Sequence, residues 1–298
     1  LVKIKNNLPK IKGPALTRGF FRSIRIEIAG AHFSELDSSW NTGRYTVAGQ
    51  ISPQNRLYFP VDGEGWLSHN GHDYKLTPGH AYIIPSFTAL EFGCAERIAK
   101  YWSHFNVFMG DSNLDILSVA PVSYEAEIAE PGVYTSFFRR LIEIQDKGKN
   151  AMTDFDAFES DNIMRFLLQP FFSGLSAAPG MPDNKRDNRI AALLLHIDEN
   201  ISRPLTLDEL GSAAGLSPVY LCGYFRSVMG MPPHRYCLER RIKKAVTLLW
   251  TTDLPISEIA DKVGVSDLSS FSKMFKRITG LSPAGFKRQI LEGKNIRF

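Results

Sequence analysis

Apolar and polar positions change their period twice along the chain. Between Phe20 and Val107, short runs rich in aromatic and β-branched residues alternate with Gly and Pro, a pattern that predicts strands. Residues 56–61 form one run, closed by Asp62-Gly63-Glu64-Gly65. Residues 66–69 and 72–76 flank Asn70-Gly71, the favoured pair for a two-residue hairpin turn. Residues 81–85 follow Pro78-Gly79, and a last run covers 98–107. Strands this closely spaced predict a small antiparallel barrel or sandwich.

Near Pro131 the spacing becomes helical. Val133, Phe137, Phe138, Leu141 and Ile144 share one face, as do Phe155, Phe158, Asn162, Ile163, Phe166 and Leu167, up to Pro170. These two helices either pack entirely on the barrel or turn an apolar stripe toward a second subunit. Residues 174–187 are rich in Gly, Pro and polar side chains and read as a linker. Beyond it, Ile190, Leu193, Leu194, Ile197 and Ile201 recur at helical spacing, with the helix ending near Asn200 and before Pro204. Ile242, Ala245, Val246 and Leu249 mark another, longer helix, and the C-terminal part should hold about seven helices in all.

That part also repeats itself. Glu209, Gly215 and Ser217 return 49 residues later as Glu258, Gly264 and Ser266. Phe225, Gly230 and Pro233 return 50 residues later as Phe275, Gly280 and Pro283, so the second copy contains one inserted residue. Each copy reads as a short helix, a glycine turn and a second helix with a basic tail. This is the helix-turn-helix pattern, and it predicts DNA binding.

Charge sharpens this reading. Residues 185–298 hold 18 Lys+Arg against 11 Asp+Glu, whereas the remainder holds 17 against 20. A basic C-terminal third suits phosphate backbones. Hydrophobic content of 44% and charged content of 22% fit a soluble chain able to bury real cores. No apolar run reaches membrane-spanning length, and the first twenty residues lack the apolar stretch of a signal peptide. Cys94, Cys222 and Cys237 are odd in number and lack C-x-x-C spacing, which predicts a reducing, cytoplasmic setting without disulfides.

Residues 190–288 resemble the DNA-binding domain of the AraC/XylS family of bacterial transcription regulators. The resemblance rests on His196-Ile197-Asp198-Glu199-Asn200 before Pro204-Leu205-Thr206-Leu207, and on Gly215-Leu216-Ser217 with Tyr220-Leu221. It continues through Arg240-Arg241-Ile242, Ala245 and Leu248-Leu249, and is strongest from Ile259-Ala260 and Gly264 through residues 271–277 to Gly280-Leu281-Ser282-Pro283. A weaker similarity, over residues 56–107, links Gly63-Glu64-Gly65, Pro78-Gly79-His80, Ile83-Ile84-Pro85 and Trp102-Ser103-His104-Phe105 to the cupin-type sensor barrels of such regulators. The resemblance implies an α+β protein: a cupin-like antiparallel β-barrel with flanking helices, then an all-α domain with two helix-turn-helix motifs. The expected division is a sensing and dimerisation domain over 1–176, a linker over 177–187 and a DNA-binding domain over 188–298. It implies an operator-binding regulator, an activator or a repressor, that answers to a sugar or related metabolite, works as a homodimer, and meets RNA polymerase.

DNA recognition needs basic side chains for phosphates and polar groups on one helix face for base edges. In the second copy Ser266 is placed to cap a helix over residues 267–279. The family's base-contacting positions map onto Ser269, Ser272 and Lys273, with Lys276 and Arg277 suited to phosphates. In the first copy the matching positions hold Val219, Cys222 and Gly223, which offer little hydrogen bonding. Ser217 and Arg226 remain for phosphates. The second copy is therefore expected to supply most direct readout while the first positions the protein or reads DNA shape.

The sensor pocket has two possible parities along its last strand: Tyr101, Ser103 and Phe105 inward, or Trp102 and His104. The resemblance favours the first, with Trp66, Tyr82 and Phe92 to stack on a ring and Glu91 or Ser103 to bond hydroxyls. His69, His72, His80 and His104 raise the question of a metal, but no His-x-His pair occurs, so neither a metal nor another cofactor is expected. No Ser-His-Asp spacing or phosphate-cradling glycine loop is present, and the chain is not expected to be an enzyme. The rival readings are a barrel that binds a protein partner and a cupin enzyme fused to a DNA module.

Overall fold

The structure is a computed structural model that describes residues 24–41, 52–69, 71–88, 90–109, 115–118, 122–148, 151–176, 185–229 and 231–294. Among the described residues, eight strands form an antiparallel, two-sheet N-terminal part: β1 (Ile24–Asp37), β2 (Asn55–Gly63), β3 (Gly65–His69), β4 (His72–Leu76), β5 (His80–Ile84), β6 (Leu90–Gly93), β7 (Arg97–Met109) and β8 (Glu125–Glu127). One sheet runs β1-β7-β2-β5-β8 and the other β4-β3-β6. The hairpin around residue 70 pairs His69 with His72, and Gly71 takes a left-handed φ of 78°. Asn70, the other half of that turn, lies outside the described residues.

β7 is the spine of the larger sheet, flanked by β1 and β2, and its two faces do different work. Tyr101, Phe105 and Val107 join Leu57, Phe59 and Ile83 in a core covered by helices α1 (Pro131–Asp146) and α2 (Asp154–Ser176). Ile98 lies on the opposite face and joins Trp40, Tyr58, Leu67, Tyr82, Ile84 and Phe92 in the core between the two sheets, with Trp102 packed against it. Period-2 alternation produces both cores from one strand.

Helix α1 begins with Pro131 and buries Tyr134, Phe138, Leu141 and Ile144. Helix α2 does not stop near Pro170, as the sequence predicts, but continues to Ser176. Phe171 and Phe172 beyond the proline are buried in the core with Leu167 and Leu168, and that burial outweighs the one backbone bond proline removes. At its other end, the Thr153 hydroxyl accepts from Asp156 N at 3.1 Å and Thr153 N donates to the Asp156 carboxylate at 3.0 Å, a reciprocal cap. Phe155 and Phe158 are 68% and 65% exposed, so the predicted stripe is only partly used against the sheet.

Seven helices follow among the described residues: α3 (Lys185–Glu199), α4 (Leu207–Ala214), α5 (Pro218–Met229), α6 (Pro233–Thr251), α7 (Ile256–Lys262), α8 (Leu268–Thr279) and α9 (Pro283–Lys294). They form two separate hydrophobic cores. Ile190, Leu193 and Ile197 of α3 pack with Leu210, Leu221 and Phe225, whereas Ile259, Phe271, Phe275 and Phe286 form the other core. Helix α6 serves both, with Tyr236 and Cys237 in the first and Ile242, Ala245, Val246 and Leu249 in the second. It is the rod that holds the two helix pairs apart. It also meets the strand-rich part, since Phe87 packs on the second core with Lys243 Nζ 5.4 Å from its ring centre.

Candidate nucleic-acid interface

The two helix pairs share a left-handed glycine after the first helix and a side-chain cap on the second, while only the first pair also caps its first helix. Thr206 caps α4 by accepting from Glu209 N at 3.2 Å, and α4 ends at Gly215 with φ 60°. Ser217 Oγ then accepts from Tyr220 N at 3.4 Å at the start of α5. In the second pair, Gly264 takes φ 74° after α7, and Asp267 accepts from Ser269 N at 3.2 Å and from Ser270 N at 2.9 Å. The cap of α8 is thus Asp267, and the expected cap Ser266 stands one residue outside it. Helices α4 and α7 start 49 residues apart and α5 and α8 start 50 apart, so the inserted residue lies in the second turn. It moves the capping role to Asp267, whose carboxylate accepts from two amides. Hydrogen bonds from Ser270 and Ser269, with Lys273 nearby, hold the Asp267 carboxyl below the usual range.

Each second helix buries one aromatic-rich edge and turns the other outward. Phe271 and Phe275 of α8 are fully buried, as are Leu221 and Phe225 of α5. On the outer side of α8, Ser269, Lys273, Lys276 and Arg277 are exposed and Ser272 is half-buried. No described carboxylate pairs with Lys273, Lys276 or Arg277. Other basic residues of this part are already committed. Arg240 pairs with Asp198, Arg241 donates to the carbonyls of Ile201 and Arg203 at 3.0 and 2.7 Å, and Lys244 donates to Ser202 Oγ at 2.7 Å. These contacts fasten α6 to the end of α3 and leave the α8 cations for a partner.

The outer side of α5 is of another kind. Val219 is 87% exposed, Cys222 is half-buried, and a Cβ added at Gly223 would meet nothing within 4 Å. Ser217 and Arg226 are exposed. Tyr220 and Leu268, to which the sequence assigns no contact of their own with DNA, are also exposed, at 55% and 44%. Tyr220 stacks on Tyr224 with ring centres 6.0 Å apart. Their signal in the sequence is an apolar or aromatic residue just inside a helix start, on the side away from the buried positions.

The expected ligand residues are not brought together. Tyr82 and Phe92 lie in the core between the sheets, whereas Trp66 is 45% exposed and Glu91 is exposed, both on the outer side of the small sheet. Tyr101, Ser103 and Phe105 face the opposite way, toward α1 and α2 in the case of the two aromatics. Their polar tips are met within the chain. Tyr101 Oη accepts from Arg139 Nε at 3.0 Å, and Ser103 Oγ donates to the Gly30 carbonyl at 2.9 Å. The parity that turns between the sheets is the other one, Trp102 and His104. An open groove of about 710 Å³ lies between β8, α1 and α2, lined by Glu125, Glu127, Tyr134, Phe166 and Gln169, and none of the expected ligand residues lines it. Among the described residues no group of three or more His, Cys, Asp or Glu could hold a metal, and no helix is long and apolar enough to cross a membrane.

Helix pairs with a left-handed glycine after the first helix, a capped second helix and an outward basic face define a DNA-binding module. A helix-turn-helix domain family matches residues 210–289. The HTH-type transcriptional activator AarP of Providencia stuartii is 35% identical over 98 residues, 33% of this chain and 73% of AarP. The arabinose operon regulatory protein of Escherichia coli is 23% identical over 239 residues, 78% of this chain and 79% of that protein. LumQ of Photobacterium leiognathi is 33% identical over 107 residues, and the matched stretch spans only 43% of its length. The chain belongs to the AraC/XylS family and is a DNA-binding transcriptional regulator rather than an enzyme.

Proposed function

We propose that the chain holds two helix-turn-helix motifs, α4–α5 and α7–α8, which enter successive major grooves of an operator, with α8 reading bases and α5 mainly positioning. The observation that carries this is the contrast between the two outer faces. Ser269, Ser272 and Lys273 offer donors and acceptors to base edges, and Lys276 and Arg277 offer charge to phosphates. Val219 offers a thymine methyl only apolar contact, Cys222 is a weak hydrogen-bond partner, and Gly223 contributes no side chain. Ser217, Ser266 and Arg226, all exposed, are the residues this reading assigns to phosphates. The 19-residue α6 between the motifs is about 28 Å long, near the spacing of one turn of DNA.

The division into a sensing and dimerisation domain over 1–176, a linker over 177–187 and a DNA-binding domain over 188–298 belongs to the same proposal. The strand-rich part takes a small effector, a sugar or related metabolite, and the exposed Phe155 and Phe158 of α2 contribute to a homodimer. RNA polymerase is the further partner of a regulator bound at an operator. The test starts from genomic fragments selected on the purified protein. Lys273→Ala should weaken binding to a selected operator by about 1–3 kcal/mol, whereas Cys222→Ala should leave it within a few tenths. A larger loss for Cys222→Ala would overturn the assignment of the reading helix.

A further inference from the structure

The inner face of the larger sheet carries a cluster of basic side chains at a place where most side chains are apolar. On β2, Arg56 and Tyr58 point between the sheets; across the ladder they pair with His104 and Trp102 of β7. Lys100, two residues along β7 on the same face, is only 3% exposed. Its ammonium lies 3.7 Å from the ring centre of Tyr58, 4.8 Å from that of Trp40 and 5.9 Å from that of Trp102. No carboxylate among the described residues pairs with it. Arg56 is 7% exposed and lies beside the Tyr58 hydroxyl.

The cluster is connected to solvent. Trp102 and His104 are half-buried rather than sealed, and His32, paired with Trp102 across β1, is exposed with its ring centre 4.8 Å from that of Trp102. Ser34 Oγ accepts from Trp102 Nε1 at 2.9 Å and fixes the indole plane. A group entering past His32 would meet the aromatic wall and then the cations.

Burial governs the electrostatics of this place. Burial and the nearby Arg56 draw the Lys100 ammonium down to about 7. Burial, with Arg56, Lys100 and His32 adding to it, holds His104 down at about 3. A cation removed from water without a countercharge costs free energy that an unpaired Met or Leu would not. Cation–π contacts recover part of this cost but supply no negative charge.

Resting on the effector-controlled reading above, we propose that the space between the two sheets binds an organic anion, a carboxylate or phosphate ester of a small metabolite, with Lys100 as its countercharge and His104 beside it as a neutral imidazole. Trp102 and Tyr58 pack against the ligand's carbon frame, so a sugar acid or sugar phosphate suits the site and its neutral parent sugar does not. The anion supplies the charge that Lys100 lacks, and binding therefore pulls the two sheets and β7 into one more rigid unit.

The chain has four tryptophans, and replacing Trp66 and Trp250 by Phe leaves Trp40 and Trp102, both beside Lys100, as reporters. In that full-length background, iodide should quench the remaining fluorescence severalfold more effectively than caesium at constant ionic strength. Lys100→Met should abolish the preference and Lys100→Arg should keep it. Acetate should protect if the site takes carboxylates and inorganic phosphate if it takes phosphates, with galactose giving no protection. Equal quenching by the two ions, a preference unchanged in Lys100→Met, protection by neither anion, or equal protection by galactose would each overturn the proposal. A preference of the expected kind beside operator binding that no anion alters would overturn effector control and leave the anion site standing. Operator binding that answers to galactose and to no anion would do the reverse.

Discussion

At the residue scale, two glycines of the DNA-binding part make opposite demands. Gly264 sits at φ 74°, and a Cβ there would stand 2.6 Å from the Ser202 carbonyl oxygen. Both the left-handed backbone and the close approach require glycine. Gly264→Ala should destabilise the protein by more than about 2 kcal/mol, since strain and displacement of Ser202 add. Gly223 lies within helix α5 with open space around it. Gly223→Ala should raise the denaturation midpoint, a gain of about 1 kcal/mol from helix propensity alone. Chemical denaturation of the two variants checks both, and equal effects in the same direction would contradict the geometry. Gly264 was legible as a turn glycine from its place in the repeat. Its contact with Ser202, over sixty residues away, was not, because nothing local in the sequence encodes a tertiary approach.

At the scale of elements, caps and cores decide where helices begin and end. The start of α2 depends on Thr153 and Asp156, and Lys147 Nζ adds an ion pair with Asp156 at 2.7 Å. The Lys147 ammonium, followed by the Thr153 amide and hydroxyl, holds the Asp156 carboxyl well below the usual carboxylate range. A carboxyl depressed in the folded state binds its proton less readily there than in the unfolded chain. Its stabilising contribution is therefore complete above the unfolded value of about 3.9 and is lost as pH falls below it. Thermal melts between pH 7 and pH 3, buffered at fixed salt, should show a steeper loss for the native chain than for Asp156→Asn. Parallel curves would rule out this source of acid sensitivity. The periodicity of α2 was visible in the sequence, but its end was not, because proline predicts a stop that buried Phe171 and Phe172 override. The strands β1, β6 and β8 were likewise unassigned: β1 mixes Glu, His and Gly into its alternation, and the other two are only four and three residues long.

At the scale of the whole molecule, the proposed homodimer would draw on apolar surface left exposed on α2. Phe155 and Phe158 lie one turn apart on α2 with ring centres 6.3 Å from each other, and both stand largely in solvent. If α2 forms the dimer contact, Phe158→Asp should shift the sedimentation coefficient to that of a monomer and weaken binding to a two-site operator much more than to a single half-site. A dimer that survives this change would place the interface elsewhere. The positive surplus of residues 185–298 adds a strong salt dependence to operator binding, because phosphate contacts release counterions.

The doubled motif, the helical periods and the basic C-terminal third were properties of residue order alone, and they were enough to specify a helical DNA-binding module behind a strand-rich part. They are local, since a repeat, a cap or an amphipathic face is written in neighbouring residues. Three matters required the tertiary structure. Asp267 takes over the cap because the one-residue insertion falls in the turn. Strand alternation allowed two parities for β7, and only the helices packed on one face determine that Tyr101 and Phe105 point to them while Lys100, Trp102 and His104 point between the sheets. Finally, Arg56, Lys100 and His104 are brought into one cluster only through the register of β2 against β7, a pairing of residues more than forty positions apart.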